Sequence, residues 1–182
     1  MTTLLATLPP ETTTQLRALA GAAENVDWPT HLVQTRGWRK TNETYHAQQR
    51  AQGYVEMQHM IAALSLRPPL APEVVRDALQ TAVELYLQTE ATTAVAQAAQ
   101  VGVRIKVSRC PLFERFSDPS WTGVTACGCF SRFDGWYEAL GVPPKVELVT
   151  NRKWDDPVCE IILHLPLERL AGDKRDPVPT AG

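Results

Sequence analysis

The chain has 182 residues and a formal charge of −2, which is enough sequence to bury the core of one domain. A charge this small gives no basic surface, so we expect neither nucleic acid nor an anionic membrane as a partner. No apolar run has the length of a membrane span, and the N-terminal Met-Thr-Thr-Leu-Leu lacks the regions of a signal peptide, so we expect a cytoplasmic protein.

Helices are predicted throughout the first half of the chain. Pro9 and Pro10 begin a short helix, because proline is favoured in a first helical turn, and a loop with two tryptophans is expected from Asn25 to Arg39. A second helix runs from Thr41 or Asn42 to about Leu66, where Pro68 and Pro69 stop it. Its apolar residues follow helical spacing: Tyr54, Met57, Ile61 and Leu64.

The period of the pattern changes near residue 100. A third helix begins at Pro72 and either continues to about Ala99 or breaks near Thr92 and Thr93, because β-branched residues are mediocre helix formers. Apolar and polar residues then alternate over 101–108, which predicts a half-buried strand. Cys110 has the parity of the polar positions, so in a strand without a bulge it should face away from the apolar side.

The remaining segments complete a predicted antiparallel sheet. Val124 to Phe133 is a strand candidate, residues 134–140 form a turn and a short helix ended by Gly141, and Val146–Thr150 pairs with Val158–Leu165 as a hairpin. We therefore predict an α+β fold in which N-terminal helices pack on an antiparallel sheet that carries the cysteines. One domain covers 1–171, helical to residue 100 and sheet beyond, before a disordered tail at 172–182.

All four cysteines lie in the last 73 residues: Cys110, Cys127, Cys129 and Cys159. Thiols that serve only as small core residues should scatter along a chain, so this grouping favours a shared functional pocket. In a strand, Cys127 and Cys129 would lie about 6.6 Å apart on one face, which disfavours a disulfide between them. The same placement can chelate a soft metal such as zinc, with Cys110 or Cys159 and one carboxylate as further ligands.

Three short segments carry a family resemblance when taken in order. They are Arg109-Cys110-Pro111-Leu112, then Cys127-Gly128-Cys129 leading to Asp134, then Pro143 to Glu147 followed by Asp155-Asp156-Pro157-Val158-Cys159-Glu160. Through them, over about 60 residues, the chain resembles the L-2-amino-thiazoline-4-carboxylic acid hydrolase family. That family is distantly similar to small-molecule-binding domains of the vinyl-reductase type. The chain departs from the family pattern at Asp155, where glycine is usual, and in the longer spacing from Cys129 to Asp134.

The resemblance implies hydrolytic opening of a cyclic isothiourea, such as a 2-aminothiazoline carboxylate, to a carbamoyl-cysteine. A thiolate attacks the amidine-like carbon and water resolves the covalent adduct. Cys110 is the preferred nucleophile because Arg109 is adjacent and a cation favours the thiolate. The further candidates are Cys159, Asp134 and Glu147 for catalysis, and Cys127, Cys129, Arg109, Trp136 and Asp156 for the pocket.

Two other functions stay open from the sequence alone. One is a non-catalytic small-molecule-binding or sensor domain of the vinyl-reductase type, and the other is a protein that binds metal through its cysteines. The hydrolase is expected to use a small-molecule substrate and no cofactor, with zinc on Cys127 and Cys129 as the alternative. The oligomeric state is left open.

Overall fold

A computed structural model describes residues 4–21, 28–88, 92–99, 101–110, 127–152 and 155–165. Within them the chain forms four α-helices and one four-stranded antiparallel sheet, so the fold is α+β as the sequence predicts. A short 3₁₀ turn at Leu4–Thr7 comes first. The helices are α1 (Pro10–Gly21), α2 (Trp28–Ala63), α3 (Pro72–Tyr86) and α4 (Cys129–Leu140); the strands are β1 (Thr93–Ala99), β2 (Gly102–Arg109), β3 (Val146–Thr150) and β4 (Cys159–His164).

The sheet has the strand order β1-β2-β4-β3, with every neighbouring pair antiparallel. Residues that pair across β2 and β4, such as Ile105 with Ile161, are buried on one face, as their period-two alternation predicts. Each such side chain contributes about 1.5–3 kcal/mol by leaving water. The opposite face is polar, with Arg104 and Lys106 both paired to Glu160. The buried face is the one that Cys159 shares.

Helix α3 covers the sheet at β1 and β2. Ala71 is extended and Pro72 occupies the first turn, where its missing N–H is not needed. The buried side of the helix includes Val75, Leu79 and Tyr86 at helical spacing. The helix ends at Tyr86, so the expectation that it continues to about Ala99 is wrong. Residues 93–99 pair with β2 instead, so the section predicted as helical to residue 100 includes a strand.

Helix α2 begins earlier than the sequence predicts. Residues 28–36 are helical where a loop was expected, because a proline at position 29 falls in the first turn and is compatible with a helix there. Gly37 interrupts the helix with φ 73° and ψ 166°, a backbone conformation that favours glycine. The Thr41 hydroxyl donates to the Gly37 carbonyl at 2.9 Å and supports the restarted helix.

Helix α4 replaces part of the predicted second strand. Residues 129–133 form its first turns, whereas residues 124–126 lie outside the described residues. Phe133, Trp136 and Leu140 repeat at helical spacing and are all buried, which selects the helix over the strand that aromatic residues also favour. Gly141 ends α4 in the left-handed conformation at φ 71°, as predicted.

Two glycines let α2 and α4 cross at close range. A Cβ on Gly53 would clash with the backbone carbonyl of Arg132, and a Cβ on Gly135 would clash with the carbonyl of Arg50. Each helix therefore presents a position without a side chain to the backbone of the other, and at these two positions the backbones are in close contact. This crossing fixes how the N-terminal part of α2 meets the start of α4.

Two further expectations concern the C-terminal tail and membrane-spanning segments. The predicted tail at 172–182 lies outside the described residues, so it stays a prediction. None of the helices in the described ranges combines the length and apolar character that crossing a bilayer requires.

Candidate functional site

The motif Cys127-Gly128-Cys129 lies at the start of α4. Gly128 directly precedes the helix and has φ −71° and ψ −15°, a right-handed helical conformation rather than an extended one. Helical geometry places Cα atoms two residues apart at about 5.4 Å, closer than in a strand. The predicted strand spacing of these two cysteines is therefore wrong, and their side chains are joined by a hydrogen bond.

Tyr45 of α2 packs directly on the glycine of this motif. A Cβ at position 128 would stand 2.5 Å from both Cε1 and Oη of Tyr45, too close for any real contact. Since the φ of Gly128 is one that any residue adopts, the requirement for glycine comes from the tyrosine ring and not from the backbone. The phenol is thereby held between the two cysteine positions.

Cys110 joins this group from the end of β2. It is half-buried and packs against the core, because a bulge precedes it: Thr93 pairs with Arg109 and Ala94 with Val107, so Ser108 is an extra residue in β2. The parity prediction, which was made for a strand without a bulge, therefore does not apply to Cys110. Burial raises the pKa of Tyr45 far above its usual value, and negative charge on Cys129, Cys127 and Cys110 raises that pKa further. Three thiols from two segments and one neutral phenol thus form a group that we call the thiol site.

Cys129 is a thiol that stays protonated. Its pKa is raised well above the usual value by the hydrogen bond with Cys127, then by burial, then by charge on Cys127 and Cys110, while Arg132 opposes these effects. Hydrogen bonding to a neutral form raises the pKa of a thiol, so Cys129 donates its S–H to the Cys127 sulfur. Among the described residues all four thiols are free of disulfides.

Cys159 lies at the edge of the thiol site. It begins β4 and is half-buried, which raises the pKa of its thiol, and charge on Cys127 raises that pKa further. Its sulfur accepts the Arg152 N–H at 3.4 Å and donates to Asn151 Oδ1 at 3.8 Å. Asp156 accepts the Asn151 N–H at 2.8 Å, so this carboxylate shapes the hairpin loop that holds Cys159.

The other predicted catalytic carboxylates lie elsewhere. Glu147 is on the polar face of the sheet, where its Oε2 is 2.7 Å from His164 Nε2. Asp134 is on α4, where burial raises its pKa and Arg50 opposes that shift. Its charge also raises the pKa of Tyr137, which burial has already raised. The structure therefore brings the thiols together and places Glu147 on the opposite face of the sheet from Cys159.

The two remaining predicted pocket residues differ sharply in exposure. Arg109 is exposed at the end of β2, next to Cys110 in the chain. Trp136 is fully buried: it packs on Phe133 at 5.1 Å between ring centroids, and its Nε1 donates to Glu56 Oε2 at 3.0 Å. Trp136 is therefore part of the core beneath the thiol site.

Sequence reasoning missed a buried ion pair that joins α2 to α4. Glu56 is fully buried and accepts hydrogen bonds from Arg132, with Nε at 2.9 Å from Oε2. Gln52 donates to the same carboxylate at 3.0 Å, and Arg132 Nη2 also donates to the Tyr86 carbonyl at 3.3 Å. A signal was available, because Glu56 shares the helical face of Gly53 and Met60, where a charge is unusual unless it is paired.

A histidine also lies beside the start of α4. His46 Nδ1 is 2.7 Å from the Ser131 hydroxyl, and its ring meets that of Tyr45 edge to face at 5.8 Å. Burial lowers the pKa of His46, so the imidazole is neutral at neutral pH. His46 is therefore a proton acceptor at this end of the molecule.

Within the described ranges, no group of three or more histidine, cysteine or acidic residues is placed to hold a metal ion. No protein-family model matches the chain, and no curated protein matches it.

Proposed function

We propose that the chain is a cysteine-dependent hydrolase that opens a small C–N or C–S substrate such as a 2-aminothiazoline carboxylate. The observation that carries the proposal is the thiol site itself. Cys110, Cys127 and Cys129 come together on one phenol, although Tyr45 is far from them in the sequence. Core packing alone gives no reason for three of four cysteines to meet, and covalent catalysis on an amidine-like carbon needs a thiol beside proton donors.

Cys110 is the nucleophile in this proposal. The pKa values of Cys129 and Cys159 are raised, and a thiol that stays protonated is a weak nucleophile. Cys110 follows the exposed Arg109 in the chain, and a neighbouring cation favours the thiolate that attacks the substrate carbon. The attack forms a C–S bond to the enzyme and breaks the C=N π bond, whose electron pair moves onto the substrate nitrogen. Collapse of this adduct breaks one ring bond at the same carbon, and the departing ring atom takes up a proton. Water then adds to that carbon and the Cys110 thiol leaves, which gives carbamoyl-cysteine.

Two groups of the thiol site can stabilise that nitrogen as its charge develops. The Tyr45 phenol is neutral because its pKa is raised, so it is a hydrogen-bond donor over the physiological range. The Cys129 thiol is a second neutral donor. His46, which Ser131 holds by a hydrogen bond, is neutral and is suited to accept a proton from the water that resolves the adduct.

Turnover of 2-aminothiazoline-4-carboxylate tests this function. Purified protein is incubated with that compound, and carbamoyl-cysteine is quantified by mass spectrometry. We expect product with the wild type, none with Cys110→Ser, and an unchanged rate with Ser108→Ala, a substitution at an exposed position of the same strand. Binding without product would favour the sensor-domain alternative, and stoichiometric zinc lost on Cys127→Ser would favour metal binding.

A further inference from the structure

We propose that Cys127 and Cys129 form a reversible disulfide, so that the start of α4 is a redox-sensitive modification site. The inference does not depend on the hydrolase proposal, since it concerns Cys127 and Cys129, whereas the proposed nucleophile is Cys110. It also reverses the expectation from the sequence, where extended spacing disfavoured a bridge between these residues.

The backbone places the two residues at bridging distance. With Gly128 in the right-handed helical conformation, helical geometry gives about 5.4 Å between the Cα atoms. Bridged cysteines usually have Cα atoms about 4.4–6.8 Å apart. An extended strand would put the pair at the far end of that range, so the conformation of Gly128 is what makes the bridge accessible.

The side chains already point toward each other. The Cys129 side chain interacts with that of Cys127, so the two thiols are neighbours before any oxidation. Gly128 adds no side chain between them, and the Tyr45 ring occupies the space over its Cα. Cys127 and Cys129 both keep partial exposure, so a small oxidant can reach the pair.

Hydrogen peroxide supplies the oxidising equivalents. The Cys127 thiolate attacks one peroxide oxygen; an S–O bond forms, the O–O bond breaks, and the hydroxide that leaves takes up a proton as water. The Cys129 sulfur then attacks the Cys127 sulfenic sulfur. The S–S bond forms, the S–O bond breaks, and the departing hydroxide takes the Cys129 proton to give a second water. Each thiol loses one electron, and the peroxide gains two.

Peptide mapping after mild oxidation tests the proposal. The full chain is treated with one equivalent of hydrogen peroxide, alkylated with N-ethylmaleimide and digested with trypsin without reduction. Cleavage at arginine places Cys127 and Cys129 together in peptide 116–132 and Cys110 in peptide 110–115. We expect peptide 116–132 to lose about 2 Da, to carry no maleimide and no attached peptide, and to recover both thiols after dithiothreitol.

Several outcomes would overturn the assignment. These are a crosslink from 116–132 to 110–115 or to the Cys159 peptide, stable oxygen addition on 116–132, or two alkylated cysteines there after peroxide has oxidised other thiols. In Cys129→Ser, Cys127 should accumulate as a sulfenic acid that dimedone traps, and equal trapping in the wild type would contradict the pairing. Cys110→Ser is the matched control, and it should form the intrapeptide disulfide as the wild type does.

Discussion

Tyr45 lies against the Cα of Gly128, with its Oη 2.5 Å from the position a Cβ on that residue would take. The contact joins α2 to the motif that begins α4, and it places a neutral phenol between two cysteines. A side chain at position 128 and the present position of the Tyr45 ring exclude each other. The glycine at position 128 therefore leaves room for the Tyr45 ring, and that ring lies beside the cysteines.

Gly128→Ala should displace the Tyr45 ring and lower turnover of 2-aminothiazoline-4-carboxylate. Overpacking of this kind costs about 1–3 kcal/mol in free energy of unfolding, and less where a side chain can swing away. Urea denaturation measures the stability, and product formation measures the activity. The control is a double-mutant cycle: in a Tyr45→Ala background, Gly128→Ala should cost little further stability. An equal cost in both backgrounds would show that the two residues do not interact.

The crossing of α2 and α4 predicts an unusual sign for a glycine substitution. In an exposed helix, Gly→Ala stabilises by up to about 1 kcal/mol. Gly135→Ala should instead destabilise by about 1–3 kcal/mol, because the added methyl meets the Arg50 carbonyl, a backbone atom that cannot rotate away. Thermal unfolding of the variant decides the sign, and a rise in Tm would contradict the close crossing.

Glu56 should be among the most sensitive single positions in the fold. Glu56→Gln leaves the Arg132 guanidinium nearly buried without its counter-ion, a loss that typically costs about 3–5 kcal/mol. Glu138→Gln is the matched control, because Glu138 pairs with Arg50 at an exposed site, and such pairs are worth about 0–1 kcal/mol. Chemical denaturation of both variants checks the contrast, and equal small losses would contradict the buried network.

The histidine beside the thiol site predicts a pH dependence of stability. Burial lowers the pKa of His46, so the unfolded chain binds this proton more readily than the folded one. The stability it contributes is fully present above the unfolded pKa of about 6.5 and is lost as the pH falls below that value. The difference in Tm between about pH 7.5 and about pH 5.5 should shrink in His46→Gln. His59→Gln, at an exposed position of the same helix, should keep the wild-type difference.

The sequence predicted those elements whose own pattern determines them. Alternation placed β2 and β4 with their buried faces, and a glycine at position 141 marked the end of α4. The start of α4 was not predicted, because Phe130 and Phe133 suit a strand as well as a helix over so short a segment. Only the longer repeat through Trp136 and Leu140 distinguishes the two.

The residues of the thiol site were predictable only where they are grouped in the sequence. The grouping of cysteines in one half of the chain is visible in the sequence, and in the folded chain charge on Cys110 and Cys127 acts on Cys129. Tyr45 was not predictable, because its place depends on how two distant helices cross. Likewise, Glu56 and Arg132 are 76 residues apart, so their pairing exists only in the folded chain. Local sequence patterns determine the helices, the strands and their buried faces. Which side chains contact each other across two helices depends on how the helices pack.

The rate of iodoacetamide labelling at neutral pH, mapped to each cysteine by mass spectrometry, tests the central claim most directly. If the thiol site is built for nucleophilic attack, Cys110 labels fastest of the four, and turnover of the thiazoline falls in proportion to its labelling. Cys129 and Cys159 should label slowly, because their raised pKa values keep them protonated. Fastest labelling at any of the other three cysteines, or turnover that survives full labelling of Cys110, would contradict the account.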